Sequence, residues 1–335
     1  LTRLEEIARA LGNPKVYPEP TARVDVSQTQ MSLVFLTDKF VYKIKKPVNL
    51  GYLDYSTLQQ RKFFCEQEVR LNSRFGGDVY LGVIPVNADG AVISLNGKGE
   101  IIEYAVKMRR LPAERMMDAL LAQNRVTPAM MTQVAAKVKD FHQIAATSPE
   151  IGKFGSIETV TFNTEENFSQ TQPYLGEVLP PAQYERIALY TREFIKRNAT
   201  LFQKRVAEGK IRDCHGDLHS QHICFTDEGI RIYDCIEFND RFRYVDVAAE
   251  VAFLAMDLDR WGRPELSRQF VADYIQKSGD KEIKTLLNFY KCYFAYVRAK
   301  VNCFKMGAPL VTPAEKEKSR QDARKYFNLA ESYIK

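Results

Sequence analysis

Apolar positions along the chain follow two rhythms, and the change from one to the other falls near Arg110. The opening LTRLEEIARAL repeats its apolar residues at helical spacing, and the proline-punctuated NPKVYPEP ends it. Strand-like runs then take over. Leu33 to Leu36 and Phe40 to Ile44 read as strands joined by the turn Thr37-Asp38-Lys39. Helical spacing returns over 56–75, with Ser56 as N-cap, Phe64, Glu68, Leu71 and Phe75 on one face, and Gly76-Gly77 as the stop. Gly82 to Val86, Ala91 to Leu95 and Ile101 to Met108 read as further strands, separated by turns at 87–90 and 96–97. Residues 1–110 are therefore expected to form a small, five-strand, mostly antiparallel β lobe with one inserted helix and the N-terminal helix.

Beyond Pro112 the pattern is helical. Met116 to Ala122, Pro128 to Ala146, 183–208, Val245 to Asp257 and much of Pro264 to Lys335 carry it. Thr147 to Pro181 is polar and rich in Gly and Pro, and reads as an irregular excursion. The late NFYKCYFAYVRAKVNCF is aromatic and basic at helical spacing and reads as core packing, with Arg298 its one candidate for meeting an anionic substrate group. Residues 111–335 are expected to form a larger, mainly helical lobe. No internal repeat occurs.

The helical half is interrupted once, by Ile211 to Asp246, which reads as strand, tight loop, strand, turn, strand. Its hairpin is expected to bring Asp217, in the loop before it, close to Asp234, just after its second strand. Three of the four histidines (His215, His219, His222) share that loop. Two chemistries fit: a base and a metal-binding carboxylate for phosphoryl transfer, or a His/Asp cluster binding a transition metal for hydrolysis. A turn-capping Asp beside core histidines is the plainer alternative.

Composition narrows the class without choosing between these. A chain of 335 residues with 45% hydrophobic and 27% charged residues is ordinary for a globular protein. Its net charge of +6 suits an anionic small ligand and does not call for nucleic acid. No apolar run is long enough for a membrane span, and the opening residues lack the apolar region of a secretion signal. Six scattered cysteines with no CxxC pair point to reduced thiols in a cytoplasmic protein.

The motifs HGDLHSQHIC and IYDCIEFNDRFRYVDVA resemble the catalytic and metal loops of the aminoglycoside phosphotransferase (choline-kinase-like) superfamily. With YKIKKPV, CEQEVRLNSRF and EYAVKMRRLP, the chain resembles a bacterial branch of aminoglycoside-phosphotransferase-like proteins. Some members of that branch carry a further C-terminal P-loop kinase domain; GxxxxGK[ST] does not occur here, so none is expected. The resemblance implies an α+β, bilobal protein-kinase-like fold whose helical lobe carries the catalytic hairpin.

It also implies roles. Asp217 matches the catalytic aspartate that orients an acceptor hydroxyl and takes its proton. Asp234 matches the aspartate that holds Mg²⁺ against nucleotide phosphates. His222 stands where the pattern commonly has Asn, and imidazole suits Mn²⁺ better than Mg²⁺. Lys43, in VYKIKK, would reach the phosphates, with Glu68 as its helix partner and Glu66 as runner-up; Lys45 and Lys46 are expected to be solvated. The loop SQTQMS has no glycine, leaving Thr29 and Ser32 to contact phosphate. Lys107 and Met108 lie in the expected purine-reading hinge, Ala105 to Arg109. Asp246 is expected to cap the following helix, His215 to be structural, His219 to face acceptor or solvent, and Glu237 and Asp240 to lie at the surface, Glu237 near enough to Asp234 to join the metal.

The expected function is a small-molecule kinase. It would bind ATP or GTP with Mg²⁺ or Mn²⁺ between the lobes and phosphorylate a metabolite or antibiotic-like hydroxyl, held by 160–180 and the late helices. Aminoglycoside resistance does not follow from such a fold. Two other readings stay open: a nucleotide-binding pseudokinase, favoured by His222 and the glycine-free loop, and a metal hydrolase on His215, Asp217, His219 and His222.

Overall fold

The structure, a computed structural model, describes residues 3–308 and 311–334; Leu1, Thr2 and Lys335, at the ends of two expected helices, lie outside them. The chain separates into two compact units, Leu1–Leu120 with Gln221–Asp240, and Leu121–Ser220 with Arg241–Lys335.

In the first unit, α1 (Arg3–Leu11) precedes β1 (Asp25–Gln28), β2 (Ser32–Leu36) and β3 (Phe40–Lys45). Helix α2 (Leu58–Gly76) leads to β4 (Tyr80–Asp89), β5 (Val92–Leu95) and β6 (Glu100–Arg109). The strands form one antiparallel sheet in the order β1-β2-β3-β6-β4-β5. Six strands stand where five were expected, because Asp25–Gln28 pairs with β2 instead of entering the loop. The pleat of β3 divides its side chains between two faces. Tyr42 and Ile44 point to the face packed by Ile7 and Leu11 of α1. Val41, Lys43 and Lys45 point to the other face, where Cys65 and Val69 of α2 pack with Val106 and Met108. Helix α2 is capped by Thr57, not Ser56: the Thr57 hydroxyl accepts from the Gln60 N–H, and the Gln60 side chain returns to the Thr57 N–H.

The chain continues through α3 (Met117–Ala122), α4 (Pro128–Ile144), α5 (Pro149–Gly152) and α6 (Ile157–Thr171). Helix α6 replaces the expected excursion. Its buried face, Val160, Thr164, Asn167, Phe168 and Thr171, has helical spacing but is mostly polar, which hid it. The single helix expected over 183–208 is two, α7 (Pro181–Arg197) and α8 (Ala199–Ala207), parted at Asn198, whose side chain donates to the Phe194 carbonyl. After β7 (Ile211–Asp213), the hairpin β8 (Ile223–Thr226) and β9 (Gly229–Ile232) belongs to the first unit.

The second unit resumes with α9 (Asp240–Arg243), whose first residue lies in the first unit, then β10 (Tyr244–Asp246), which pairs with β7, and α10 (Val247–Arg260). Helices α11 (Pro264–Ser278), α12 (Ile283–Met306) and α13 (Pro313–Ser332) complete it. Helix α10 is buried from Val247 to Leu258, and Asp246 caps it through the Ala248 N–H at 2.8 Å. Asp246 also takes two bonds from the fully buried Arg205, which reaches Asp280 with its other nitrogen. Removing one member of such a group strands the others. Arg205→Met is therefore expected to cost about 3–5 kcal/mol, seen as a lower thermal midpoint in calorimetry. No helix among the described residues is long and apolar enough to cross a membrane.

Candidate active site

Within the first unit, three separate segments deliver charge to one place. Lys43 comes from β3, Glu68 from three turns into α2, and Asp234 from just past β9. The Lys43 ammonium lies 2.9 Å from Glu68 Oε1 and 2.7 Å from Asp234 Oδ1. Burial works against the Lys43 cation, but Asp234 and Glu68 outweigh it and hold the amine well above its ordinary range. Burial likewise opposes the Glu68 carboxylate, which Lys43 and Lys45 nevertheless keep below the usual value.

The backbone at Asp234 is left-handed, with φ of 62°. Its N–H donates to the Tyr80 hydroxyl at 3.1 Å, and the next N–H, of Cys235, donates to Asn72 Oδ1 at 2.9 Å. Asn72 in turn donates to the Glu68 carbonyl. Helix α2 thus fixes the carboxylate that meets Lys43 and the turn that presents Asp234. His222 stands beside this turn, with Nε2 3.5 Å from Asp234 Oδ2 and its ring edge-on to Tyr233.

Two expectations are corrected here. Lys45 is not solvated: it is 1% exposed and pairs with Glu68 Oε2 at 2.7 Å and with Glu237. Glu237 is not a surface residue, being buried against Lys45 and the Tyr55 hydroxyl. The strand alternation that placed Lys43 also placed Lys45; only the run of lysines in VYKIKK disguised it.

The other residues singled out in the first unit have contacts of their own. The Thr29 hydroxyl accepts from the N–H groups of Met31 and Ser32, closing its own turn. Ser32 is buried at the start of β2. Lys107 shares a face with Tyr42, its partner in the sheet, and lies over the Phe40 ring and 3.4 Å from Glu19. Met108 packs in the apolar cluster with Cys65, Val79, Tyr80 and Val106. Both belong to a strand flanked on either side by β3 and β4.

In the second unit, the HGD loop is built around a glycine and a buried carboxylate. Gly216 has φ of 84°, and a Cβ there would meet the Phe242 carbonyl at 2.6 Å. Glu250, on α10, accepts from the N–H groups of His215 and Gly216 at 2.7 and 2.8 Å. Its other oxygen lies 2.7 Å from Nε2 of His142, whose Nδ1 meets the Tyr274 hydroxyl. Nδ1 of the buried His215 accepts from the Asp217 N–H, as its structural reading requires. Asp217 Oδ2 is 3.4 Å from His219 Nε2. Asp257 accepts from both the N–H and the hydroxyl of Ser220, ending the loop.

Glu250 and Asp257 went unnoticed in the sequence, although two acids within the apolar run Val247–Leu258 carry the same signal that identified Glu68. Burial would raise both, but His142 with the loop N–H groups, and His219 with Arg260, bring them below their ordinary values of 4.5 and 3.8. A carboxylate depressed in the fold adds stability that is fully present above its unfolded pKa and is lost as pH falls through its folded one. The thermal midpoint is accordingly expected to hold down to about pH 4.5 and then fall. Melting curves from pH 7 to 3 check this, and a midpoint that rose in acid would contradict it.

A family model described as "Phosphotransferase enzyme family" matches residues 83–284. Uncharacterized proteins of Mycobacterium tuberculosis and Mycobacterium bovis are 33% identical over 288 residues, 85% of this chain and 56% of theirs. The chain thus spans about half the length of the curated relatives it matches. Among solved structures, a choline/ethanolamine kinase family protein from Mesorhizobium loti aligns with TM-score 0.55 and 11% identity over 98% of this chain and 99% of its own. Choline kinase from Cryptosporidium parvum gives 0.55 and 12% over 100% and 96%. A putative aminoglycoside phosphotransferase from Ralstonia eutropha gives 0.53 and 14% over 99% and 98%. At such identities the likeness is one of fold: the α+β, kinase-like fold that the motifs implied.

Proposed function

The chain belongs to the phosphotransferase enzyme family, and on that footing we propose that it transfers the γ-phosphoryl group of ATP or GTP to a hydroxyl of a small molecule. The observation that carries the reading is Lys43 held between Glu68 and Asp234. A lysine fixed by a helix carboxylate beside an aspartate is the pairing that phosphate and its divalent metal require. The donor set fits a divalent cation. Asp234 is a carboxylate on a rigid turn, its side chain 38% exposed, with an imidazole beside its second oxygen.

Bound metal–nucleotide supplies the transferable phosphoryl group and neutralises charge on its oxygens. Lys43 binds and orients phosphate. Asp234, with His222, holds the metal. Asp217 aligns the acceptor hydroxyl and accepts its proton at a carboxylate oxygen. The test is a thermal-shift screen of nucleotides with Mg²⁺ and Mn²⁺, followed by a search for γ-phosphate loss with hydroxyl acceptors. A second reading, nucleotide binding without transfer, is favoured by His222 at the Asn position and by the self-closed Thr29 turn. Tight binding with no phosphate loss in either metal would select it.

Charge pairing in the second unit supports an anionic acceptor. Its buried lysine and arginines have carboxylate partners: Arg205 with Asp246 and Asp280, Arg243 with Asp213, Lys291 with Asp259. Arg298 and Lys300 of α12, half-buried, have no ion pair among the described residues. Lys300 is held by the amide oxygens of Asn167 and Gln170 at 2.6 and 2.7 Å, and burial brings it down to about 8. Arg298 lies over the Tyr326 ring, and the charge acting on it most strongly is that of Asp217. A substrate carboxylate or phosphate would give both a direct anionic partner. Hydroxy acids and sugar phosphates are expected to turn over in preference to amino sugars and choline-type alcohols. Lys300→Met should raise the acceptor KM about tenfold and leave the nucleotide KM unchanged. Preference for cationic acceptors would end this part of the reading.

A further inference from the structure

We infer that Lys45 is a positioning residue, which with Glu237 and Tyr55 holds Glu68 in place and charged so that Lys43 can pass from Asp234 to a phosphate. The inference rests on the phosphotransferase reading and gives a role to Lys45, which the sequence reading left as solvated.

Glu68 is fully buried, and its two oxygens go to two different lysines, Oε1 to Lys43 and Oε2 to Lys45. Lys45 is as deeply buried as its partner. Its ammonium meets Glu68, Glu237 and the Tyr55 hydroxyl, and sits 4.9 Å from the centre of the Tyr55 ring. The Tyr55 hydroxyl donates to Glu237 Oε1 at 2.6 Å. The groups therefore form one unbroken series: Tyr55, Glu237, Lys45, Glu68, Lys43, Asp234.

Burying ammonium and carboxylate groups in a strand–helix interface is expensive, and an apolar pair of the same volume would serve packing better. What apolar residues cannot do is hold Glu68 when Lys43 is shared. Lys43 contacts two carboxylates already, and a nucleotide phosphate would be a third claimant on its one charge. With Lys43 as its only partner, Glu68 would become a buried, uncompensated carboxylate each time Lys43 turned toward phosphate. Lys45 gives it a counter-charge that stays. Glu237 extends the same hold to the segment bearing Asp234, three residues earlier. Lys45 thus ties β3, α2 and the metal-binding turn to one ammonium without itself meeting substrate.

The experiment measures Mg²⁺–nucleotide affinity, kcat and thermal midpoint for wild type, Lys45→Met, Lys45→Arg, Lys43→Met and the double Met variant. Lys45→Met is expected to weaken nucleotide affinity about ten- to hundredfold, and Lys45→Arg to recover part of it. In the Lys43→Met background the Lys45 substitution should add little, because the two lysines act through one carboxylate. A residue that only stabilises the fold would lower the midpoint equally in both backgrounds and leave affinity alone. If Lys45→Met does not fold, Glu237→Gln carries the same comparison with the pairing weakened rather than removed. Unchanged affinity in a folded Lys45 or Glu237 variant, or fully additive losses, overturns the role given to Lys45. A wild-type chain that binds no nucleotide overturns the phosphotransferase reading itself, and this inference with it.

Discussion

Asp217→Asn is expected to lower turnover about a thousandfold and to leave the nucleotide KM within about twofold, since a positioned base contributes 10²–10⁴ to rate. The substitution keeps side-chain volume and removes only the charge and the proton-accepting oxygen. The loop has anchors other than that charge. Glu250 fixes the N–H groups of His215 and Gly216, and Asp257 fixes Ser220. The thermal midpoint should therefore stay near that of wild type, which separates lost chemistry from lost structure. Single-turnover rates with saturating nucleotide provide the readout. A variant that keeps a tenth or more of wild-type rate would show that Asp217 is not the base. One that loses nucleotide affinity along with rate would place Asp217 among the nucleotide contacts.

How much of the molecule is legible in its sequence depends on how local each signal is. The hairpin of β2 and β3 is written in two apolar runs around Thr37-Asp38-Lys39, and α2 in a helical repeat closed by two glycines. Lys43 is placed by the motif, and Glu68 could be matched to it because it breaks an apolar stripe, where a charge needs a partner. Lys45 obeys the same rule, yet it sits in a lysine run that looks solvated. The Glu237 that buries it lies 192 residues further on, a separation no local pattern reports. Helix α6 escaped for a different reason. Its inward residues include Thr164, Asn167 and Thr171, with Asn167 accepting from Lys300 and Thr171 meeting the Tyr296 hydroxyl. Polar residues satisfied only in three dimensions read as loop in one.

Asp234→Asn should act on binding where Asp217→Asn acts on rate. An amide oxygen is a weaker ligand for a hard cation than a carboxylate, so Mg²⁺-dependent nucleotide affinity is expected to fall about a hundredfold, a loss of about 2.7 kcal/mol. The metal-free comparison has the opposite sign. Asp234 Oδ1 holds Lys43 at 2.7 Å, and its neutral replacement releases that ammonium toward any phosphate present. Without metal, the variant should therefore bind nucleotide as well as wild type or better. Calorimetric titrations with nucleotide alone, with Mg²⁺ and with Mn²⁺ measure both effects. His222 lies 3.5 Å from the other oxygen of the same carboxylate, so replacing it tests the metal's identity directly. His222→Asn is expected to move preference from Mn²⁺ toward Mg²⁺, since an amide oxygen suits the harder ion and imidazole the softer. Equal loss of affinity with and without metal in Asp234→Asn would mean that this carboxylate does not act through a cation. The assignment of the metal to this turn would then fall, whatever the fate of Asp217.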